Sequence, residues 1–556
     1  ICESRPSYTA GLCLHLSRGV IAEVVASDSF KASFLQENAD SRSGTVVALF
    51  TAGCFCGAFL ASYTDPLGRR RTILLACCIF VVGGTVQTAG VIIAMLYVGR
   101  LIAGIGVGFL TMIIPIYQAE LAHRKIRGKI TSLQQLFNAL GQIFATWIGY
   151  GCYMTWTHTG NSREWRIPLG CQLVPAIFLG GLIMFFPGLQ VGDIFYSGVH
   201  VLLISIQMAL AHDRADEGLQ VLAQLHAHGD TSDSYVLADF ELIQSQIVEE
   251  RSQKSIGYFD LFRGWPNLRR TILVMAIQAS CQMTGVSAIQ YFSPQIFAQI
   301  GIPTSRSLLF QAVNAIIAFA GTTVCILTID GVGRRPLQIF GHIFLCVTFV
   351  INAAIIKVFP TTSNNTSAHW AFVVMTWLFN FGQSNRHAWR SVSGVHSLLL
   401  TAYFLQLFPY ERTLELGYPA ELFGTAMRLK GVSWGAMTSF AFNTMIGQVT
   451  PIAISSIGWV SAQANSLHLL SFADPDIQKF YLVFIVCNLT NAIFFWCFQP
   501  ETKGLNLEDM DELFRDSPTF VPGSKWAPSS YVNELAREIA NGDEVKTIKT
   551  QHIEEA

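Results

Sequence analysis

Long apolar stretches run through almost the whole of this chain, and few classes of fold can accommodate them. Most of the stretches approach or exceed the roughly 20 apolar residues that a helix needs to cross a bilayer. They lie at 44–63, 73–90, 91–118, 130–154, 166–187, 271–299, 307–329, 337–359, 370–382, 432–459 and 479–498, with a weaker one at 9–27. Since 51% of the 556 residues are hydrophobic and only 13% are charged, we predict an all-α polytopic membrane protein with about twelve transmembrane helices.

The charged residues are sorted by loop, although the formal net charge is only −1. Basic residues occupy every second loop, at 69–71, 124–129, 334–335 and 428–430, and the loops between them carry few Lys or Arg. The positive-inside rule assigns such basic loops to the cytoplasm. It assigns the 211–268 segment and the C-terminal tail to the same side, which predicts that both termini are cytoplasmic.

One charged phrase occurs twice. Asp-x-x-Gly-Arg-Arg begins at Asp65 and again at Asp330, and 330 − 65 = 265 residues separate the two copies. A second phrase, Tyr-x-Ala-Glu-Leu, occurs at 117–121 and at 418–422, each time with an Arg seven residues after the Glu. Two phrases recurring in the same order indicate duplicated halves, as in transporters whose halves are related by an axis along the membrane normal.

The repeat predicts the domain organisation of the chain. The expected units are an N-terminal transmembrane half at 1–210, a cytoplasmic helical linker at 211–268, a C-terminal transmembrane half at 269–500 and a cytoplasmic tail at 501–556. Carboxylates and guanidiniums at the cytoplasmic helix ends can form bidentate pairs between helices and between halves. Such pairs could hold one face of the protein closed and still allow it to open.

These phrases, together with VGRLIAGIGVG at 98–108 and PETKG at 500–504, resemble the sugar porter family of the major facilitator superfamily, especially its fungal members. The resemblance implies the major facilitator fold, with two six-helix halves around a central sugar site that opens alternately to each side. It also implies gating salt bridges among charged residues at the inner helix ends. The implied residues are Asp65, Arg69, Arg70, Arg100, Glu120 and Arg127 in the N-terminal half, and Asp330, Arg334, Arg335, Glu421, Arg428 and Glu501 in the C-terminal half.

Amide side chains inside the apolar stretches are candidate sugar ligands, because Gln and Asn each offer a donor and an acceptor to a hydroxyl pair. In a membrane interior such groups are costly unless they are paired or line a cavity. The substrate-binding residues that the resemblance implies are Gln135, Gln278, Gln282, Ser287, Tyr291, Asn314 and Asn443. The alternative interpretation is that these polar groups only bridge helices, as polar residues in membrane bundles often do.

The sequence departs from the family pattern at several candidate positions. Cys281 replaces the first glutamine of the usual pair, Ser287 replaces an asparagine, and Leu416 stands where the family has a sugar-stacking tryptophan. Ser17 occupies the position of the aspartate expected to carry the proton, and Glu23 is not at that position. The preferred sugar therefore stays open, and facilitated diffusion is the alternative to the proton symport that the family implies.

The second half contains additional residues. Asp65 precedes Glu120 by 55 residues, whereas Asp330 precedes Glu421 by 91, which leaves 91 − 55 = 36 extra residues. We predict inserts at 383–416, which brings charged residues into a helix, and at 460–478. The hypothesis is that 460–478, and with weaker support 191–207, are translated introns in an imperfect gene model; genuine lineage-specific loops are the alternative.

The predicted function is transmembrane transport of a sugar, whether hexose, pentose, disaccharide or polyol, by alternating access at the plasma membrane. The expected partners are a small-molecule sugar, a proton and membrane lipid, but not nucleic acid. No cofactor, metal site or enzymatic activity is expected. Two alternatives stay open, a non-transporting membrane sugar sensor and an inactive, mis-spliced translation.

Overall fold

The structure is a computed structural model, and it covers most of the membrane bundle with short segments beside it. The residues that it describes are 19–36, 38–64, 67, 69–121, 127–157, 159–185, 257–298, 301–332, 334–359, 366–385, 408–409, 425–463, 477–501 and 513–522.

The first half of the chain forms the helices α1 to α8. Their bounds are 19–26 (α1), Asp28–Phe34 (α2), Ala39–Ala61 (α3), Arg69–Thr88 (α4), Ile93–Leu121 (α5), Arg127–Trp156 (α6), Arg163–Cys171 (α7) and Leu173–Phe185 (α8). The short helix α2 is capped by Ser27, whose hydroxyl accepts a hydrogen bond from the Phe30 N–H at 3.2 Å. This cap satisfies one of the free amides at the helix start and turns the chain between α1 and α2.

The second half begins with a 3₁₀ helix at Tyr258–Phe262 and continues with the helices α9 to α15. Their bounds are Trp265–Met283 (α9), Val286–Ala298 (α10), Thr304–Val332 (α11), Arg334–Val358 (α12), Thr366–Gln383 (α13), Thr425–Gln463 (α14) and Ile477–Phe498 (α15). A two-residue antiparallel ladder pairs Ser384–Asn385 (β1) with Phe408–Pro409 (β2).

Several of these helices can cross a membrane. By length and composition, seven segments of the described chain qualify: Ala39–Ala61, Arg71–Thr88, Ile93–Ile114, Arg163–Ile183, Trp265–Ala298, Gln338–Ile356 and Phe480–Phe498. Their outer faces carry exposed apolar side chains such as Val82, Val174 and Phe178. A surface of this kind suits lipid rather than water. Each predicted apolar stretch overlaps a helix, and the expected all-α membrane fold is confirmed.

Small residues bring α3 and α5 into backbone contact in the N-terminal half. Gly104 of α5 lies directly against α3, where a Cβ atom would overlap the carbonyl oxygen of Phe50 and lie 3.0 Å from the Gly53 Cα. Gly53 in turn has no room for a Cβ beside the Leu101 carbonyl. Close approach through small residues is a common way for membrane helices to associate, because apolar side chains gain little by leaving lipid.

A break separates α9 from α10 at Thr284 and Gly285. Gly285 has φ +93°, and a Cβ there would lie 2.9 Å from ring atoms of both Phe349 and Phe484. Asn488 of α15 donates to the Thr284 carbonyl at 3.3 Å and so satisfies an acceptor that the break frees. The break allows polar side chains on both sides of it to point into the bundle.

The two halves pack together through α3 and α14. Thr51 of α3 and Thr444 of α14 are hydrogen-bonded through their hydroxyls at 2.8 Å. Towards one end of this pair, a Cβ on Gly44 would lie 3.0 Å from the Gln448 carbonyl; towards the other, the Ser433 hydroxyl donates to the Ala58 carbonyl at 2.9 Å. The helices therefore stay in contact over most of the bundle.

The proposed inserts and domain limits lie partly outside the described residues, as does all of 191–207. At the first predicted insert in the C-terminal half, α13 ends at Gln383 and only β1 and β2 are described beyond it. At the second, α14 continues to Gln463 and α15 begins at Ile477, so helix extends into both ends of the 460–478 segment. The domain limits and the intron hypothesis remain predictions.

Candidate substrate site

A network of buried polar side chains joins α9, α10 and α14 at the helix break. The Gln282 carbonyl oxygen accepts from the Ser287 hydroxyl and from the Asn443 amide, both at 2.8 Å, and the Gln282 amide donates to the Ser439 hydroxyl at 2.8 Å. The Asn443 amide also contacts the Ser287 hydroxyl at 3.1 Å, and Tyr291 donates to the Asn443 carbonyl oxygen at 3.2 Å. These five groups form one connected cluster.

This cluster is shielded from solvent, since Gln282, Ser287 and Asn443 are each at most 5% exposed. In such surroundings an unpaired amide would cost on the order of 1–3 kcal/mol, so mutual pairing stabilises these buried groups. A ligand that enters must replace these hydrogen bonds with its own. A polyhydroxylated solute can do so, because each hydroxyl both donates and accepts.

The opposite face of α10 borders a small cavity. Across it, the Gln290 amide donates to the Gln142 carbonyl oxygen of α6 at 2.6 Å, and the Ser293 hydroxyl donates to the Gln311 carbonyl oxygen of α11 at 2.6 Å. Gln142 belongs to the N-terminal half and the other three to the C-terminal half, so the cavity lies where the halves meet.

The cavity wall combines free polar groups with aromatic rings. The Asn314 carbonyl oxygen faces it and has no hydrogen-bond partner among the described residues. Phe297, Phe310 and Trp377 form an apolar side, and the Trp377 ring N–H is already bonded to the Phe310 carbonyl at 3.1 Å. Placed polar groups on an otherwise apolar wall are typical of a site that orients a small ligand.

The structure brings together most of the substrate-binding residues expected from the sequence. Gln282, Ser287, Tyr291 and Asn443 are in the network, and Asn314 is in the cavity wall. Gln278 is buried one turn before Gln282, beside Gly435 of α14. The side chain of Gln135 lies outside the described residues. Their role in binding remains a prediction.

Sequence reasoning missed four amides of the cavity: Gln142, Gln290, Gln311 and Asn380. Helical spacing could have found two of them. Gln142 lies seven residues, or two turns, after Gln135 in α6, and Gln311 lies three residues before Asn314 in α11, so each shares a helix face with an expected ligand. Gln290 was missed because the helix is interrupted at Gly285, so its spacing from Gln282 does not predict which side of α10 it occupies.

Most side chains of the predicted gating salt bridges lie outside the described residues: Asp65, Arg69, Arg70, Glu120, Arg127, Asp330, Arg334, Glu421 and Arg428. The structure does bring Arg335 and Glu501 into contact. The Arg335 backbone N–H donates to a Glu501 carboxylate oxygen at 3.1 Å, and the guanidinium donates to the Trp496 carbonyl at 2.7 Å. Burial lowers the pKa of Arg335, and the Glu501 carboxylate acts in the opposite direction.

Arg100 has different surroundings from the inner helix ends. It is 1% exposed, donates to the Val46 carbonyl at 3.2 Å and lies over the Phe50 ring, with its Cζ 4.6 Å from the ring centre. Of the side chains that the structure places, no carboxylate pairs with it. Arg100 thus holds α5 to α3 inside the membrane region, and its salt bridge stays a prediction.

A neutral contact links the halves at the end of α3 and α14 that the basic loops predict to be cytoplasmic, here called the inner end. The Tyr258 hydroxyl donates to the Ser62 hydroxyl of α3 and is hydrogen-bonded to the Ser433 hydroxyl of α14 at 3.1 Å. Its ring lies against Phe59 of α3 and Trp434 of α14. Tyr258 lies within the predicted linker, 211–268, so it connects both halves to that segment.

Replacing Tyr258 with Phe is expected to loosen this inner closure. Both hydroxyl contacts are lost while the ring packing is kept, which removes about 1–2 kcal/mol of stabilisation. Hydrogen–deuterium exchange with mass spectrometry should show faster exchange in peptides from the inner ends of α3 and α14.

Tyr63→Phe is the matched control, because Tyr63 is 60% exposed and stacks on the same aromatic group. It should leave the exchange of these peptides as in the wild type. Equal protection in Tyr258→Phe and wild type would show that the hydroxyl does not contribute to the closure.

Comparison with known proteins identifies the family of this chain. The family model described as "Sugar (and other) transporter" matches residues 7–188 and 209–514, which leaves out 189–208. The MFS-type transporter criB of Aspergillus cristatus is 28% identical, with 92% of each chain covered. The high-affinity glucose transporter of Kluyveromyces lactis is 26% identical over 95% of this chain and 86% of the relative.

A similar architecture is found among solved structures. The proton:xylose symporter XylE, bound to 6-bromo-6-deoxy-D-glucose, superposes with a TM-score of 0.68 at 20% identity, over 92% of this chain and 98% of XylE. The inward-open form of XylE from E. coli gives a TM-score of 0.62 at 18% identity, over 92% and 99% of the two chains. With the family match extending over both halves, the chain belongs to the sugar transporter family of the major facilitator superfamily and is a sugar porter of the fungal type.

Proposed function

We propose that this protein carries a neutral sugar or polyol across the plasma membrane by alternating access, with proton symport as the coupling. The observation that supports the substrate class most directly is the set of neutral amides and hydroxyls on both faces of α10. Nothing in this set carries a charge, so it suits a neutral solute with many hydroxyls better than an ion.

Alternating access is supported by the way the site is divided. Gln142 on one side of the cavity belongs to the N-terminal half, and Gln290, Gln311 and Asn314 belong to the other half. A ligand bound between them would contact both halves, so its binding energy can stabilise a closed state in which the halves approach. The predicted salt bridges, together with the neutral contact at Tyr258, would then hold the inner end closed.

The printed names of relatives support a sugar as the solute and a proton as its partner. The Kluyveromyces lactis relative is a glucose transporter, and the structural neighbour is a proton:xylose symporter. The assignment to the plasma membrane, with cytoplasmic termini, rests on the basic loops and on the family resemblance.

The test is uptake of radiolabelled sugars in a yeast strain that lacks its own hexose transporters. Expression of the full chain should restore uptake of labelled D-glucose or D-xylose, and unlabelled sugars of the preferred class should compete. Uptake should rise in acidic medium and fall when a protonophore is added, since the proton gradient then supplies the driving force.

Each alternative has its own result. Restored uptake that is insensitive to the protonophore would indicate facilitated diffusion. Saturable binding of a sugar by the purified protein, without uptake by cells, would indicate a sensor. Neither uptake nor binding, from a protein that reaches the membrane, would contradict the proposed function.

A further inference from the structure

Glu23 is a buried carboxyl without a hydrogen-bond partner in the middle of α1. It is 3% exposed, and neither carboxylate oxygen has a partner among the residues that the structure describes. The side chain lies flat against α6 at Gly149, where a Cβ would approach Glu23 carbons within 2.5 to 3.2 Å. The absence of a side chain at Gly149 is what makes room for the carboxyl.

An ionised carboxylate in this position would be strongly unfavourable, because burial removes its hydration and no donor replaces it. Ionisable residues inside membrane helices are rare for this reason and are usually functional, for example in proton relays. Glu164 of α7 provides a contrast. It is equally buried at 2% exposed, but one of its oxygens accepts from the Ser29 backbone N–H at 3.1 Å, so it has a structural role at the start of α2.

Among the described residues, no charged side chain on the helices packed around α1 is hydrogen-bonded to Glu23. Titratable groups on these helices include Tyr97, Arg100, Tyr150, Tyr153, Glu164, Tyr291 and Arg306, on α5, α6, α7, α10 and α11. Arg100 is bonded to Val46, Glu164 to Ser29 and Tyr291 to Asn443. None of the seven donates to Glu23. On α1 and α2 themselves, Asp28 and Lys31 pair with each other at 3.5 Å.

A cavity lies beside this part of α1. It is between α1 and α10, and its wall includes Ala22, which precedes Glu23, and Ala26, one turn later. Lys31 also borders this cavity. Separation of α1 from α6 would remove the Gly149 surface that covers the Glu23 side chain.

We propose that Glu23 is the proton-binding group through which this protein couples sugar movement to a proton, an inference that rests on the proposed symport. When α1 separates from α6, the hydrated group is a carboxylate. A proton from outer water then forms an O–H bond on one Glu23 oxygen, which removes the charge and lets α1 pack against α6 as observed. When the halves open inwards, the proton returns to water and the carboxylate re-forms.

The location differs from the one that the family resemblance implies. Ser17 is at the position of the family's aspartate, six residues before Glu23 in the sequence. Glu23 lies in α1, against the Gly149 surface of α6. A serine at position 17 cannot titrate, so coupling in this chain needs another group.

The test uses full-length protein in proteoliposomes with radiolabelled D-glucose or D-xylose. Sugar exchange is measured without a gradient, and accumulation is measured with an inward proton gradient. Glu23→Gln keeps the shape of the protonated side chain but cannot ionise. We expect it to lose accumulation and to exchange sugar at a rate that no longer depends on pH. Glu164→Gln is the matched control, because a glutamine oxygen can still accept from Ser29; it should accumulate sugar as the wild type does.

A second measurement needs no sugar. Infrared difference spectra of the purified protein should contain a carboxylic-acid C=O band that titrates with pH in the wild type and is missing in Glu23→Gln. If Glu23→Gln does not fold, Glu23→Asp is measured instead, because it keeps a carboxyl on a shorter side chain. It should accumulate sugar, with an altered pH profile.

The outcomes separate this inference from the proposed function. Accumulation by Glu23→Gln at the wild-type level, or an unchanged infrared band, would overturn the assignment of Glu23. Exchange by the wild type without accumulation would also overturn it, while leaving sugar transport intact. No exchange by the wild type would refute the proposed function itself, and the infrared titration would then decide whether Glu23 binds a proton.

Discussion

Gly104→Val should nearly eliminate correctly folded protein. Any side chain at position 104 overlaps the Phe50 carbonyl of α3, and the atom it meets is backbone, which cannot rotate away. The helices α3 and α5 must then separate, with an expected loss on the order of 3 kcal/mol or more. Fluorescence-detected size-exclusion chromatography should show loss of the monodisperse peak, and thermal shift should show a lower Tm for any material that remains.

Gly151→Val is the control for this experiment. Gly151 lies in α6, and a Cβ there would meet no heavy atom within 4 Å, so the substitution adds the same side chain without a clash. It should give a near-native peak and Tm. A wild-type Tm for Gly104→Val would contradict the close packing of α3 and α5.

Gln282→Ala should weaken the apparent affinity for sugar by about 10- to 100-fold, which corresponds to roughly 1.5–3 kcal/mol. The reason is the position of Gln282 at the centre of the polar network, where its amide holds Ser287, Asn443 and Ser439. Truncation removes a candidate ligand and also frees the side chains that it orients. The measurement is the KM and maximal rate of labelled sugar uptake, corrected for the amount of protein at the membrane.

Two further variants make this result specific. Ser439→Ala removes one partner of Gln282 and should have a smaller effect of the same kind. Gln36→Ala changes an exposed amide just after α2 that donates to the Ala32 carbonyl, and it should leave KM unchanged. Unaltered KM in Gln282→Ala, at normal abundance, would mean that the network bridges helices and does not bind the substrate.

The helix break explains which site residues could be predicted. Gln282 and Asn443 were accessible from the sequence because amides inside apolar stretches are costly and therefore conspicuous. Ser287 and Tyr291 lie on the side of α10 that faces α14, where Ser287 donates to Gln282 and Tyr291 donates to Asn443. Gln290 lies on the other side of the same short helix, and its pairing with Gln142 depends on the rotation of α10 after Gly285. Residue spacing predicts which side chains share a face only within a continuous helix, and not across such a break.

The inner end of the bundle shows the same limit for a different reason. Repeated charges predicted ionic closure there, and this remains a prediction; in the described chain the Arg335 backbone N–H donates to the Glu501 carboxylate. The contact at Tyr258 was not predicted, because it joins residues that are 196 and 175 positions apart in the chain and none of them is charged. The role of this linker hydroxyl could be identified only from the packing of both halves around it.

Length and hydropathy by themselves determined that this chain is a helical membrane protein, because insertion into lipid depends on apolar length. The repeated phrases indicated its family, and the positions of the basic residues predicted its topology. Only the tertiary structure decided which polar side chains meet. Whether Gln282 is paired, Asn314 faces a cavity and Glu23 lacks a partner among the described residues depends on the rotation and contact of helices distant in sequence. Those rotations are set by packing details such as the missing side chains at Gly104 and Gly149.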